Sequence, residues 1–125
     1  MNKGRRGGAR EPTQRQLRMG ELLRHVLAEV LVRSAFRDPV LAHTRVTITE
    51  VRPSPDLKSA TVFVTPLGGE DMNAVVDALE RAQGFLRAQV AKSIEARVVP
   101  NLSFKPDLSF ANAERIDALL SKDRG

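Results

Sequence analysis

Two short runs rich in β-branched residues, at about 44–51 and 59–65, constrain the fold of this chain more than any other feature. Apolar and polar residues alternate within each run, as Val46 and Ile48 do with their threonine neighbours, so each strand has one apolar face. The segment between the runs, 52–57, contains two prolines and an aspartate, which favour a turn. The sequence therefore predicts a β-hairpin, and its apolar face must be covered by helices.

Residues before the hairpin have the period of an amphipathic helix. We predict a helix over about 14–34 that is capped by Thr13 and stopped by Asp38-Pro39, because proline disfavours helix in the residue before it. The apolar stripe of this helix comprises Met19, Gly20, Leu23, Val26, Leu27, Val30, Leu31 and Ser34.

A second helical region follows Gly68-Gly69 and contains Gly84. One apolar stripe precedes Gly84 and another follows it, which predicts two helices that meet at this glycine. The stripes are formed by Met72, Val75, Val76, Leu79 and Ala82, and then by Leu86, Val90 and Ile94. A third strand is predicted at 98–104, with Pro100 near its start, and a short terminal helix follows with Phe110, Ile116, Leu119 and Leu120.

The predicted order is α-β-β-α-α-β-α, which indicates a small α+β domain with a three-stranded sheet and helices packed on one face. A chain of 125 residues is long enough for one such domain. We expect a disordered basic arm over 1–13, the folded domain over 14–121 and a short tail over 122–125.

The positive charge is concentrated at the N-terminus. Residues 1–24 hold seven basic and two acidic side chains, which accounts for the whole net charge of +5, whereas 25–125 hold thirteen of each sign. A basic arm on a neutral body is typical of proteins that bind a polyanion, usually nucleic acid.

The composition argues against most enzyme classes. The chain has no cysteine and two histidines, which excludes disulfides, thiolate nucleophiles and cysteine-bound zinc. Neither His25 nor His43 lies near a nucleophile motif, so we favour structural roles for both and expect no catalytic site, metal or cofactor. No membrane span or secretion leader is recognisable, and we expect a cytoplasmic protein.

Two glycine motifs bear on nucleic-acid binding. The GxxG loop of KH domains clamps nucleotide backbone, but Gly4-Arg5-Arg6-Gly7 lies in the arm rather than between helices. The junction Ala82-Gln83-Gly84 stands where a KH domain places that loop. It predicts either a site where a phosphate approaches exposed N–H groups or a packing kink.

Aromatic residues are scarce. The chain has five phenylalanines and no tryptophan or tyrosine, and only Phe63 and Phe104 fall in predicted strands. This argues against a sheet that stacks bases, so RNA binding should depend on backbone and duplex shape.

Four segments, 45–64, 82–87, 97–104 and 115–120, resemble the bacterial ribosome-binding factor A family in order and spacing. The resemblance implies a single KH-like domain of type II, αββααβ, in which Ala-x-Gly replaces the GxxG loop. It also implies a monomeric, non-enzymatic factor that binds free 30S small ribosomal subunits. Such a factor assists late maturation and processing of 16S rRNA near its 5′ end, helix 1 and the decoding region. The resemblance further implies that the factor matters most in the cold and that a ribosome-associated GTPase promotes its release.

The charge pattern and the resemblance together give a set of candidate RNA-binding residues. These are Arg5, Arg6, Arg10, Arg15, Arg18, Lys58, Ala82, Gln83, Gly84, Arg87, Lys92 and Arg97. Two alternatives stay open at this point. One is a non-specific RNA- or DNA-binding protein or RNA chaperone, and the other is a protein-binding adaptor with an incidental basic tail.

Overall fold

The computed structural model describes residues 11–67, 71–94 and 99–108 of the chain. Within them the elements are α1 (Gln14–Arg33), α2 (Pro39–His43), β1 (Arg45–Pro53), β2 (Ser59–Leu67), α3 (Met72–Arg81), α4 (Gln83–Ser93) and β3 (Asn101–Pro106). The predicted α+β fold is confirmed, with one additional helix, α2. The predicted terminal helix and most of the predicted arm lie outside the described residues.

The sheet has the order β1-β2-β3, with β1 and β2 antiparallel and β2 and β3 parallel. The turn between β1 and β2 joins an antiparallel pair, as predicted, whereas α3 and α4 form the long crossover that a parallel pair requires. β3 begins at Asn101, so the predicted strand residues Val99 and Pro100 precede it, and Val98 lies outside the described residues. Proline has no N–H to donate to a sheet, which accounts for the later start.

A β-bulge interrupts β1. Ile48 pairs with Val64 and Glu50 with Phe63, so Thr49 is an extra residue in the first strand. Its hydroxyl donates to the Phe63 carbonyl at 3.3 Å. Because one residue is inserted, the next buried residue after Ile48 is Val51, three positions along the chain instead of two. The apolar face therefore continues on the same side of the sheet.

Helix α1 is capped as predicted. The Thr13 hydroxyl accepts a hydrogen bond from the Gln16 N–H at 3.2 Å, and the Gln16 side chain accepts one from the Thr13 N–H at 2.8 Å. Gln16 is also buried. Its Nε2 donates a hydrogen bond to the carbonyl oxygen of Pro53 at the end of β1, at a distance of 3.0 Å. The apolar periodicity did not place this polar residue on the buried face.

The Asp38-Pro39 pair starts a helix. α1 already ends at Arg33, and Pro39 is in the first turn of α2, where its missing N–H costs nothing. The Asp38 carboxylate caps α2 by accepting from the Val40 N–H at 3.0 Å. The prediction that this pair stops the first helix is therefore wrong.

Asp38 also connects α2 to α3. Arg81 donates from Nε and Nη2 to Asp38 Oδ2 at 3.0 and 2.7 Å. The hydrogen bond from Arg81 is the main reason that the pKa of Asp38 lies below its ordinary value, and the Val40 N–H contributes to the same shift.

The core lies between one face of the sheet and helices α1, α3 and α4. Its fully buried side chains include Leu23, Leu27, Leu79, Leu86, Leu102, Val30, Val62, Val64, Val75 and Val90. The helical members belong to the stripes predicted from the sequence. Among the residues that the structure describes, no helix is long and apolar enough to cross a membrane.

Gly20 is the point of closest approach between α1 and β1. A Cβ atom at this position would lie 2.6 Å from the Val51 carbonyl oxygen and 3.2 Å from Pro53 Cδ. Neither atom belongs to a flexible side-chain end. An alanine here therefore requires the helix to move away from the strand.

We expect Gly20→Ala to lower the free energy of unfolding by about 1–3 kcal/mol, because it overpacks this contact. Gly84→Ala is the matched control, because the added Cβ would have no neighbour within 4 Å. Alanine is more favourable than glycine in a helix by up to about 1 kcal/mol, so this variant should not be destabilised. Urea unfolding followed by circular dichroism measures both values. Equal effects of the two substitutions would contradict the close approach.

Asp38 should contribute a pH-dependent part of the stability. The pKa of Asp38 is lower in the folded state than in the unfolded chain. Its contribution to the free energy of unfolding is therefore fully present when the pH is above the ordinary aspartate pKa of about 4, and it is lost as the pH falls through the pKa of the folded state. We expect Asp38→Asn, which keeps a capping oxygen, to lose less stability than the native protein on acidification through this window. Thermal unfolding at a series of pH values measures the difference.

Arg81→Met is the partner variant in this experiment, because it removes the cause of the Asp38 shift. Adding Arg81→Met to Asp38→Asn should not flatten the acid dependence further. An additional flattening would show that Arg81 acts through a different carboxylate.

Candidate nucleic-acid interface

The α3–α4 junction is a one-residue break at Ala82. With φ −88° and ψ 5°, Ala82 ends α3 and precedes α4, and its N–H still bonds to the Ala78 carbonyl at 3.0 Å. Its own carbonyl accepts from the Leu86 N–H at 2.9 Å, which begins the next helix. The helices therefore meet at Ala82, two residues before the glycine at which the sequence predicted the junction.

Gly84 is exposed in the first turn of α4, and a Cβ there would meet nothing within 4 Å. The packing-kink interpretation is wrong, since no part of the described fold presses against this glycine. In the described part of the chain, α4 has no side-chain N-cap. Its first-turn N–H groups have no acceptor within the helix, so they remain available to an anion.

Two charged side chains tie this junction to β3 and to the residues directly before it. Glu80 of α3 accepts from the Phe104 N–H at 2.7 Å through Oε2 and from the Gln83 side-chain amide at 3.2 Å through Oε1. Arg87 of α4 donates from Nη2 to the Val99 carbonyl at 2.8 Å. Its Nε lies 3.2 Å from the Pro100 carbonyl oxygen.

Gln83 and Arg87, both candidates for RNA contact, are thus parts of this connection. Arg87 uses two of its nitrogens to bind main-chain carbonyls and keeps Nη1 for another partner. Glu80 was missed by the sequence analysis. Its spacing within α3 marks it as exposed, and only the packing of the strand shows that it binds Phe104.

The contacts place three candidate cations at one end of the domain. Gln16 binds the Pro53 carbonyl, which sets the N-terminus of α1, including Arg15, beside the end of β1. The Asn101 N–H donates to the Lys58 carbonyl at 2.9 Å, so β3 starts beside the β1–β2 turn. Arg87 binds the residues immediately before β3. We refer to this end of the domain, with Arg15, Lys58 and Arg87, as the basic end.

The turn that presents Lys58 is held by local hydrogen bonds. Ser54 Oγ donates to Asp56 Oδ1 at 2.6 Å, and this carboxylate oxygen also accepts from the Lys58 N–H at 3.0 Å. The Ser54 hydroxyl lowers the pKa of Asp56. Leu57 has a φ of 61°, which side-chain-bearing residues rarely adopt. The turn therefore holds the main chain at Lys58 in a defined position.

Ion pairing separates the arginines of the domain into two groups. Arg24, Arg33, Arg52 and Arg81 each pair with a carboxylate. Arg15, Arg18 and Lys92 are exposed and have no ion pair within residues 11–67, 71–94 and 99–108. Arg5, Arg6, Arg10 and Arg97 lie outside the described residues.

The open face of the sheet offers little aromatic surface. Phe104 is buried on the helical side, with 4% of its surface exposed. The Arg52 guanidinium lies 5.1 Å from the ring centroid of Phe63 and covers it. This arrangement agrees with the expectation that the sheet is not a base-stacking platform.

The chain is similar in sequence and in fold to proteins described as ribosome-binding factor A. A family model described as ribosome-binding factor A matches residues 15–120. A ribosome-binding factor A of Paramagnetospirillum magneticum is 52% identical over 114 residues, covering 91% of this chain and 80% of that protein. One from Beijerinckia indica is 51% identical over 115 residues, covering 92% of this chain and 80% of that protein.

Solved structures agree. The crystal structure of ribosome-binding factor A from Thermus thermophilus is 30% identical, with a TM-score of 0.63, and the match covers 73% of this chain and 93% of that one. A homology model of the T. thermophilus factor, fitted into a cryo-EM map of a 30S–RbfA complex, is 31% identical with a TM-score of 0.56, covering 69% of this chain and 88% of that one.

Glu80→Ala should leave the half-buried Phe104 N–H without an acceptor and lower the free energy of unfolding by about 1–3 kcal/mol. Glu29→Ala is a control of the same chemical change: its side chain is 76% exposed and it only faces Arg33 at 3.8 Å, so a loss within about 0.5 kcal/mol is expected. Hydrogen exchange at the Phe104 amide should accelerate in the Glu80 variant alone. Unchanged exchange would mean that another group accepts from Phe104.

Proposed function

The chain belongs to the ribosome-binding factor A family, and from that premise we propose that it binds the free 30S small ribosomal subunit through 16S rRNA. We place its action in the late maturation and processing of 16S rRNA, near the 5′ end with helix 1 and the decoding region. The T. thermophilus relative fitted into the map of a 30S complex supports the choice of subunit. Growth in the cold is the condition in which this activity should matter most.

The observation that carries the proposal is the continuity of positive charge at the basic end. α1 begins there, so the N-terminal residues, which hold the net charge of the chain, are joined to the domain at the side of Arg15 and Lys58. Cations that neutralise phosphates supply most of the sequence-independent affinity for RNA. A protein with this distribution would approach rRNA with the basic end first.

The junction supplies a second point of attachment. Exposed Gly84 allows a phosphate to approach the first turn of α4, where the helix dipole favours negative charge. Glu80 and Arg87 hold the junction against β3, so its geometry is set before binding. In our proposal, Ala82, Gln83 and Gly84 dock on rRNA and hold an immature conformation of the subunit until release.

The rest of the proposal follows from the family. The factor acts as a monomer in the cytoplasm, through residues 14–121 as the folded domain and 1–13 as the basic arm. A ribosome-associated GTPase promotes its departure from the mature subunit. The activity is one of binding rather than catalysis, which agrees with the description of the family as a binding factor.

Gradient sedimentation of lysate from cold-grown cells at low salt tests the proposed subunit. We expect the protein on free small subunits and not on joined ribosomes. A spread over all RNA-containing fractions would favour the non-specific nucleic-acid binder. Retention at the top of the gradient would favour the protein-binding adaptor.

Neutralising Arg5, Arg6, Arg10, Arg15 and Arg18 to glutamine should weaken binding to purified 30S subunits. The slope of log affinity against log salt concentration should flatten by about 0.7–0.9 for each lost phosphate contact. The matched control is Glu21→Gln with Arg24→Gln, which removes a surface ion pair on the same helix without changing the net charge. An unchanged slope in the five-arginine variant would remove the arm from the mechanism.

A further inference from the structure

A cavity of about 340 Å³ lies between the α1–α2 connection and the α3–α4 junction, and the function proposed above does not use it. Its walls include Phe36, Leu41, Ala78, Ala82 and Phe85. Ala82 is the residue at which the two helices meet, so the cavity opens beside the junction. Its volume is in the range of pockets that bind small organic groups.

The two phenyl rings form one continuous aromatic surface. Phe36 and Phe85 contact edge to face, with their centroids 5.8 Å apart and their planes at 81°. No flat group fits between rings at this distance. Phe85 is 45% exposed, however, so part of its surface is free to contact a ligand.

The rim of the cavity is positively charged. Arg37 lines it, is exposed, and takes part in no ion pair among the residues that the structure describes. Arg81 and Asp38 also line it and are fixed to each other by two hydrogen bonds. The net rim charge of +1 favours an occupant that has an apolar, flat part attached to an anionic group.

An unpaired nucleotide has this combination of properties. Its base can stack on a phenylalanine ring, and its phosphate can bind an arginine. An apolar side chain of a partner protein would fill the cavity, but it would bring no negative charge to Arg37. The open space at Gly84, which directly precedes Phe85 in the first turn of α4, leaves room for the sugar–phosphate chain on that side.

We propose that this cavity binds one unpaired base of single-stranded RNA, which stacks on Phe85 while Arg37 binds an adjacent phosphate. The inference rests on the proposed function, because it names one element of the RNA that the protein would bind on the subunit. It also adds base stacking to a protein whose sheet offers none. The aromatic site is formed by α4 and by the α1–α2 connection, so the scarcity of aromatic residues in the strands gave no sign of it.

Phe85→Trp tests the proposal directly, because the chain has no other tryptophan. Titration with single-stranded hexamers of adenylate or uridylate should quench its fluorescence, whereas an abasic oligonucleotide with the same number of phosphates should not. Val32→Trp is the control variant, since Val32 is 87% exposed on α1 and does not line the cavity. Its fluorescence should respond little to either RNA.

Phe85→Leu provides a second measurement that does not depend on tryptophan at this position. It keeps an apolar side chain and removes the ring, so affinity for the hexamers should fall about 5- to 150-fold. Circular dichroism and thermal unfolding verify that the variant is folded. Val32→Leu should bind the hexamers with native affinity.

The outcomes separate this inference from the proposed function. Native protein that binds 30S subunits, with no quenching of Phe85→Trp by hexamers and native affinity in Phe85→Leu, would overturn the base pocket and leave the subunit proposal intact. Quenching by 30S subunits but by neither the hexamers nor protein-free 16S rRNA would assign the cavity to a protein component and also overturn it. Failure of the native protein to bind 30S subunits would overturn the proposed function.

Discussion

The approach of α1 to the carbonyl of Val51 at Gly20 determines how the rest of the domain is placed. Because glycine has no side chain, the helix lies directly on β1, and the Gln16 side chain comes within reach of the Pro53 carbonyl. This contact sets the register of α1 along the strand. It thereby fixes the end of the domain at which the basic N-terminal residues are attached. The close approach at Gly20 therefore also determines at which end of the domain the positive charge lies.

A second set of contacts determines the geometry of the α3–α4 junction. A helix break of one residue could adopt a range of angles, but Glu80 and Arg87 each bind the main chain at β3 or just before it. Asp38 and Arg81 hold the other side of α3 against α2. The junction is therefore supported by charged hydrogen bonds on both sides, while the glycine that follows it has open space around it. Rigid support next to an open backbone suits a surface that must fit a preformed partner.

Periodicity was sufficient to predict the hairpin, the long helices and the Thr13 cap, because each depends on residues close in sequence. The features that it missed depend on contacts between distant residues. The apolar stripe predicted for α1 did not include the polar residue Gln16, yet Gln16 is buried and its side chain binds the Pro53 carbonyl. The pair Asp38-Pro39 is equally compatible with the end of one helix or the start of another. In the structure it starts α2, and Arg81 of the distant helix α3 donates a hydrogen bond to the Asp38 carboxylate. The cavity beside Phe36 and Phe85 is formed by segments nearly fifty residues apart, so no local pattern could show it. The RNA-binding assignments of single cations stay predictions for a related reason: charge can be counted in a sequence, whereas its arrangement depends on the fold.

The orientation of β3 has a consequence for how the sheet can be extended. The N–H groups of Asn101 and Asp107 point toward β2, so those of residues 102 and 104 point outward, and residue 106 is a proline without one. Glu80 already occupies the Phe104 N–H. Of the six residues in this outer strand, only Leu102 can therefore offer an outward N–H to another strand. A second copy or an unfolded chain that tried to add a strand here would find too few donors to pair with, which protects the β3 edge of the sheet from edge-to-edge aggregation.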